Sequence, residues 1–320
     1  MASGEQSVGQ VGLFDGELTE EQSVAEKIEE LKLEHNAIIL AHNYQPPIIQ
    51  EIADYVGDSL GLARKAAQTD ARVVVFCGVH FMTETVYILS PDKIVLLPDL
   101  SAGCPLADMA DAESVLRLKE EHPDAVVVSY VNTTASVKAV SDYCCTSANA
   151  IKVVSAVDSR KVIFVPDRNL AAYVSSVVDK EIIPFPGFCP VHEEIRASQV
   201  QFVLEEHPHA EVIAHPECTP EVISMANHVR STSGMVEAAI SSSADEFVVA
   251  TEEGMLYPLN KNVPGKRFFA PAGEHICADM KKITLTKVLN ALRSLEPRIV
   301  VPEEIRVKAL ASVERMLALG

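Results

Sequence analysis

Apolar residues in this chain come in short unbroken runs rather than in alternation. Ala37-Ile-Ile-Leu-Ala41, Val73-Val-Val-Phe-Cys77 and Ile94-Val-Leu-Leu97 are three of them. Such runs, rich in branched residues and bounded by polar breaks, predict strands buried on both faces, as in parallel sheets covered by helices. Helical spacing fills the gaps. Thr19-Glu-Glu-Gln22 reads as a capping box, followed by Val24, Ile28 and Leu31 on one face. Gly57-Asp-Ser-Leu60 opens an Ala-rich helix running through Ala67, and another helix starts near Met82.

The same order then recurs. Ala125–Asn132 is a strand ending in a polar loop, Cys145-Thr-Ser147 opens a helix, Val162–Asp167 is a strand, and Ile182–Gly187 leads to Cys189. A third pass runs from Glu211–Ala214 through His215-Pro-Glu217, a helix opened by Ser231-Thr-Ser-Gly234, the strand Glu246–Thr251, and Arg267–Pro271 before Cys277. His42 to Ser59, Tyr130 to Ser147 and His215 to Thr232 are each 17 residues apart. Cys104, Cys189 and Cys277 follow one another at 85 and 88 residues. A layout kept at a fixed period marks repeated units. Units of this size predict an α/β fold of three homologous three-layer αβα domains with parallel sheets around a pseudo-threefold axis. The expected division is a loose arm over 1–19, then 20–108, 109–193, and 194–320 with the C-terminal helices.

Composition narrows the function. A net charge of −18 argues against a nucleic-acid footprint and against binding to anionic membranes. No stretch approaches the ~18 apolar residues of a membrane span, and no signal peptide is visible. Seven cysteines without an export signal point to the cytoplasm, where cysteine sets serve metals or catalysis more than disulfides. An anionic substrate then needs locally positive or neutral hydrogen-bond donors.

Cys104 sits in Pro98-Asp-Leu-Ser-Ala-Gly-Cys104, on a turn leaving a strand. Alone it reads as a small buried hydrophobe. With Cys189 and Cys277 closing equivalent units, three thiolates would converge there if the units pack around a pseudo-threefold axis. They suit a catalytic zinc with an open position or a [4Fe–4S] cluster with one iron lacking a protein ligand. Cys77, Cys144 and Cys145 read as packing residues, the last two opening a helix; Cys218 sits beside Glu217. Ser59, Ser147 and Thr232 stand where helices begin, as caps or as anion-holding hydroxyls. His42, Tyr44, Tyr130, Asn132, His215 and Glu217 occupy strand-end loops, and a Glu and a Tyr there provide general base and acid. Ser59 lacks a Gly-x-Ser-x-Gly elbow, and no Walker A or Gly-x-Gly-x-x-Gly stretch is present.

Taken together, Ala41-His-Asn-Tyr-Gln45, Gly57-Asp-Ser-Leu60, Cys77-Gly-Val-His-Phe-Met82, Tyr130-Val-Asn-Thr-Thr134, Cys144-Cys-Thr-Ser-Ala-Asn-Ala150, Val191-His-Glu193 and Ser231-Thr-Ser-Gly-Met235 resemble the quinolinate synthase family of NAD biosynthesis. The resemblance spans Ala41 to Lys281. It implies three α/β domains about a pseudo-threefold axis and a [4Fe–4S] cluster on Cys104, Cys189 and Cys277. It implies condensation of iminoaspartate (iminosuccinate) with dihydroxyacetone phosphate to quinolinate, with coupling to an L-aspartate oxidase that supplies the imine. Substrate contacts would fall on His42, Ser59, Tyr130, Val131, Asn132, Ser147, His215, Pro216, Glu217 and Thr232. Catalysis would rest on Tyr44 and Glu217 as acid/base pair, with Tyr130 and His42. Two departures stand out. Cys277 has no neighbouring spare thiol, and Arg230 occupies the position before Ser-Thr-Ser where relatives carry Gly. If that position required a positive φ, Arg would strain the loop by roughly 1–2 kcal/mol.

Overall fold

The computed structural model describes residues 19–319, so nearly all of the expected N-terminal arm lies outside the described residues. Thr19 does cap the first helix, accepting from the Gln22 N–H while the Gln22 side chain accepts from the Thr19 N–H. The first unit runs α1 (Glu20–His35), β1 (Ala37–His42), α2 (Pro47–Glu51), β2 (Tyr55–Gly57), α3 (Ser59–Gln68), β3 (Val73–Cys77), α4 (His80–Leu89), β4 (Ile94–Leu96) and α5 (Pro105–Asp108). The second runs α6 (Ala112–Glu121), β5 (Val126–Tyr130), α7 (Ala135–Ala139), β6 (Tyr143–Cys145), α8 (Ala150–Ala156), β7 (Lys161–Val165), α9 (Arg168–Val177), β8 (Glu181–Pro184) and α10 (Pro190–Glu194). The third runs α11 (Ala197–Glu206), β9 (Glu211–Ala214), α12 (Pro220–Ile223), β10 (His228–Val229), α13 (Thr232–Ser241), β11 (Glu246–Ala250), α14 (Leu256–Asn262) and β12 (Arg267–Phe269). Two more helices follow, α15 (Leu285–Ser294) and α16 (Glu303–Leu319).

Each unit builds one four-stranded parallel sheet with the same order: β2-β1-β3-β4, β6-β5-β7-β8 and β10-β9-β11-β12. The all-apolar β3 is buried at every position, as a central strand covered on both faces must be. The short first edge strands β2, β6 and β10 escaped the sequence reading, because two or three residues carry no periodicity. Cys144 and Cys145 therefore lie on β6, not at a helix start, and both are fully buried. Cys77 is core, as expected.

The repeat extends to polar details. The N–H of Ile39 donates to Asp54, that of Val127 to Asp142 and that of Val212 to Asn227, each 15 residues on, at 2.7, 2.9 and 2.8 Å. Each acceptor residue returns its own N–H to the same strand residue's carbonyl. Lys93, Lys180 and Lys266, just before the fourth strand of each sheet, donate to carbonyls at the ends of α3, α8 and α13, the helices that lead into the third strand. These bonds satisfy loop backbone groups that the sheet ladder leaves open.

The chain's end returns to the earlier units: α15 packs on α1, and α16 on α7 and β6. Positive φ occurs, outside glycine and among the described residues, at Asn36 and Leu295. Arg230 is not among them, so the strain expected there is absent. No described helix is long and apolar enough to cross a membrane.

Candidate active site

Parallel strands deliver all their carboxyl ends to one side of a sheet, and loops there can meet. In this chain the strand-end loops of all three sheets line one cavity of about 660 Å³ empty volume. His42, Tyr44, Ser59 and Cys104 come from the first unit; Tyr130, Asn132, Ser147 and Cys189 from the second; His215, Glu217, Thr232 and Cys277 from the third. Twelve residues singled out in the sequence thus share one wall-to-wall space. Val131 and Pro216 do not line it: Val131 is buried behind it, and Pro216 faces an adjoining cavity. Cys218 is a buried strand-end residue whose thiol donates to the Ala250 carbonyl.

The first wall is made by residues at the ends of β1, β5 and β9. His42 and His215 are made alike. The Nδ1 of His42 accepts from the Tyr44 N–H at 3.2 Å, and that of His215 from the Glu217 N–H at 3.4 Å. Nδ1 as acceptor leaves the ring proton on Nε2. Burial pushes both rings down to about 3, so they are neutral donors at physiological pH.

The hydroxyls form the second wall, and they are freed for it. The caps are other residues: Asp58 Oδ1 accepts from the Gly61 N–H to start α3, and Ser231 Oγ accepts from the Gly234 N–H to start α13. Ser59 and Thr232 are the first helical residues instead, one step past the cap. Ser147 lies three residues before α8, whose N-cap position is Asn149. The two caps also join their units, Ser231 Oγ donating to Asp58 Oδ2 at 3.1 Å. Thr232 Oγ1 accepts from the Asn43 amide at 2.8 Å, a second tie between first and third units.

At the far end stand the cysteines. Cys104 and Cys189 each precede a proline that begins a short helix. The Cys189 N–H donates to Asp167 and the Cys277 N–H to Glu252, both side chains almost fully buried. Each acid stands two residues past the third strand of its sheet. Burial pushes all three thiols up, so they hold their protons until a cationic group displaces them. Three free cysteines from three separate units, facing one cavity, are a donor set fit for a soft metal group.

Between the two ends runs a chain of polar contacts that includes two residues the sequence did not reveal as functional, His192 and Thr251. Tyr44 hydroxyl lies 2.6 Å from Thr251 Oγ1, which lies 2.8 Å from His192 Nε2. His192 Nδ1 lies 2.8 Å from Glu217 Oε2 and 3.2 Å from Cys189 Sγ. Tyr130 hydroxyl reaches Glu217 and Ser147. Burial alone would raise the Glu217 carboxyl, but the histidines beside it and the hydrogen bonds from His192 and Tyr130 hold it below its ordinary value. Tyr44 is pushed well up by burial and keeps its proton. With Glu217 ionised, donation runs one way: Tyr44 to Thr251, Thr251 to His192 Nε2, and His192 Nδ1 to Glu217. Cys189, His192 and Glu217 also place sulfur, nitrogen and oxygen within 4.8 Å of one another, an arrangement that could hold a metal ion. The Asn132 Oδ1 is buried without a partner, an acceptor left for a bound ligand.

Known proteins align with this arrangement along nearly the whole chain. The family model described as "Quinolinate synthetase A protein" matches residues 26–318. A quinolinate synthase from Desulforudis audaxviator is 55% identical over 300 residues, covering 93% of this chain and 99% of the relative. One from Thermodesulfovibrio yellowstonii is 53% identical over 295 residues, covering 92% and 97%. One from Methanosarcina barkeri is 50% identical over 299 residues, covering 93% and 98%. With three repeated sheets, one shared cavity and this extent of identity, the chain belongs to the quinolinate synthase family of enzymes.

Proposed function

We propose that the chain condenses iminoaspartate with dihydroxyacetone phosphate to give quinolinate, phosphate and water, in the cytoplasm, on imine supplied by an L-aspartate oxidase. Cys104, Cys189 and Cys277 would hold a [4Fe–4S] cluster with one iron free of protein ligands. When bound, that iron would supply a Lewis acid for a substrate oxygen or nitrogen. The observation that carries the reading is the convergence of three protonated, unpaired cysteines on a cavity that also holds neutral hydrogen-bond donors and the ionised Glu217 carboxylate.

The chain's own residues divide the remaining work. The Nε2–H groups of His42 and His215, with the hydroxyls of Ser59, Ser147 and Thr232, donate to carboxylate and phosphate oxygens. They do so without adding a fixed charge to a buried site. Asn132 Oδ1 accepts from a substrate hydroxyl, and Tyr130 orients the triose beside it. Glu217 is the base that removes carbon-bound protons, and Tyr44 is the acid that protonates a departing hydroxyl. Each elimination of water leaves Glu217 protonated and Tyr44 deprotonated. His192 and Thr251 hold the resting state between them, with Tyr44 protonated and Glu217 ionised, and proton exchange with water returns the pair to it once product leaves.

The test is anaerobic purification followed by iron and sulfide analysis, a visible spectrum, and a quinolinate assay with both substrates. A brown protein with a broad band near ~400 nm that forms quinolinate is expected, and Cys104→Ala should lose both colour and turnover. A colourless zinc protein with full activity would sink the cluster, and a coloured protein that makes no quinolinate would sink the reaction.

A further inference from the structure

The partly exposed residues lining the cavity fall into two sets. One is the cysteine end, with Gly103, Cys104, Cys189 and Cys277; the other includes Asp58, Ser59, Asn132 and Ser147. On the functional reading above, the group held by the cysteines closes the first. Substrates then come past the second. A second cavity, of about 780 Å³ empty volume, adjoins there, and Asp58 and Ser147 line both. Pro216, Ser231 and Arg230 complete its inner wall, so loops of all three units meet in it as well.

Arg230 is the one cationic side chain lining this second cavity; Asp58 and Glu237 are the acids. Asp58 is committed, Oδ1 to the Gly61 N–H and Oδ2 to the Ser231 hydroxyl. Glu237 is exposed on α13. Arg230 is exposed too, and its Nη1 donates at 2.8 Å to the carbonyl of its own neighbour Val229. Among the described residues it has no carboxylate within 4.0 Å. An unpaired cation thus stands at the mouth of a buried site, in a chain of net charge −18.

We propose that the second cavity is the antechamber through which small phosphorylated and dicarboxylate anions reach the site, and that Arg230 draws them in. The inference rests on the reaction proposed above. A −18 chain repels dianions at long range, and a local cation at the mouth offsets that repulsion where it matters. Arg230 lines the antechamber and not the inner cavity, so it acts on capture and leaves the chemical steps alone. A rim charge of this kind changes the association rate and its salt dependence. A dianion at roughly 10 Å from one cation in water gains about fourfold in local concentration at low salt. That gain fades once the Debye length falls below the separation.

The experiment compares the full-length wild type with Arg230→Lys, Arg230→Ala and Arg230→Glu, varying dihydroxyacetone phosphate at low and high ionic strength. At low salt, kcat/KM should drop about fourfold in Arg230→Ala and further in Arg230→Glu, with Arg230→Lys near wild type and kcat unchanged in all. The differences should shrink at high salt. Equal kcat/KM in wild type and Arg230→Ala at low salt, or a loss confined to kcat, overturns the proposal. Phosphorus-31 line broadening of dihydroxyacetone phosphate by the same four proteins reads capture without turnover. If the wild type forms no quinolinate, the reaction reading fails, and broadening graded by the charge at position 230 still supports the antechamber. Equal broadening across all four proteins refutes it.

Discussion

Lowering the pH from 7 to 5 should destabilise the metal-free protein through two residues, His42 and His215. Both rings are almost fully buried, and burial lowers each from an ordinary value of 6.5 to about 3. The unfolded chain takes up a proton on each ring as pH falls through 6.5, while the folded chain does not until about 3. Stability from these groups is therefore complete above 6.5 and drains away across that window. The slope is about 1.4 kcal/mol per pH unit for each histidine. Over the 1.5 units between 6.5 and 5 this comes to about 2 kcal/mol per ring, or about 4 kcal/mol together. Domains are commonly stable by only about 5–15 kcal/mol, so the loss is a large fraction. Glu217 does not confuse the reading. Its depressed carboxyl contributes stability that is full above the ordinary 4.5 and is lost only as pH falls from there toward 2. Urea unfolding followed by far-UV circular dichroism at pH 7, 6 and 5 gives the free energies, since the chain has no tryptophan. The double variant His42→Gln/His215→Gln should lose most of the pH slope. A double variant that keeps the wild-type slope would falsify the assignment of neutral buried rings; the comparison cancels the opposite slope of Asp167, whose carboxyl burial pushes well above its ordinary value.

Two further outcomes follow from the chain of contacts between Tyr44 and Glu217. Thr251→Val keeps the shape but leaves the Tyr44 hydroxyl and His192 Nε2 without their shared partner. The cost should be about 1–3 kcal/mol of stability for each unpaired group, with quinolinate formation falling through kcat, and Thr251→Ser should restore both. Calorimetric melting and steady-state rates check this, and a Val variant as active as wild type would remove Thr251 from the chain. Glu217→Gln replaces the proposed base by a near-isostere. Its kcat should fall by roughly 10²–10⁴ while the iron content stays at the wild-type level. A loss of iron in step with activity would instead make Glu217 a metal-site residue.

Some of this molecule is written plainly in its sequence. Unbroken runs such as Val73–Cys77 announce doubly covered strands because a central parallel strand has no solvent face on which a polar residue could sit. The 17-residue intervals from His42, Tyr130 and His215 announce the repeat, since each spans one strand-to-helix crossover of the same size. The choice among hydroxyls was not legible. Ser59 and Thr232 look like caps, and only the backbone shows that Asp58 and Ser231 take that role and leave them free. Edge strands of two or three residues form because a neighbouring strand pairs with them, so no local pattern foretells β10.

The sequence by itself determined the three-unit α/β architecture and nearly all of the cavity's candidate residues, because strand burial and spacing are local properties repeated along the chain. The tertiary structure alone decided which of those residues meet and what links them. Tyr44, Glu217 and Thr251 lie on three separate loops and His192 on α10, and a contact of 2.6 or 2.8 Å between them depends on how the units dock. It also decided where Arg230 stands: outside the inner cavity, unstrained, at the mouth of the chamber beside it. Local chemistry selects which groups are available, and only docking of the units fixes which face one another in the site.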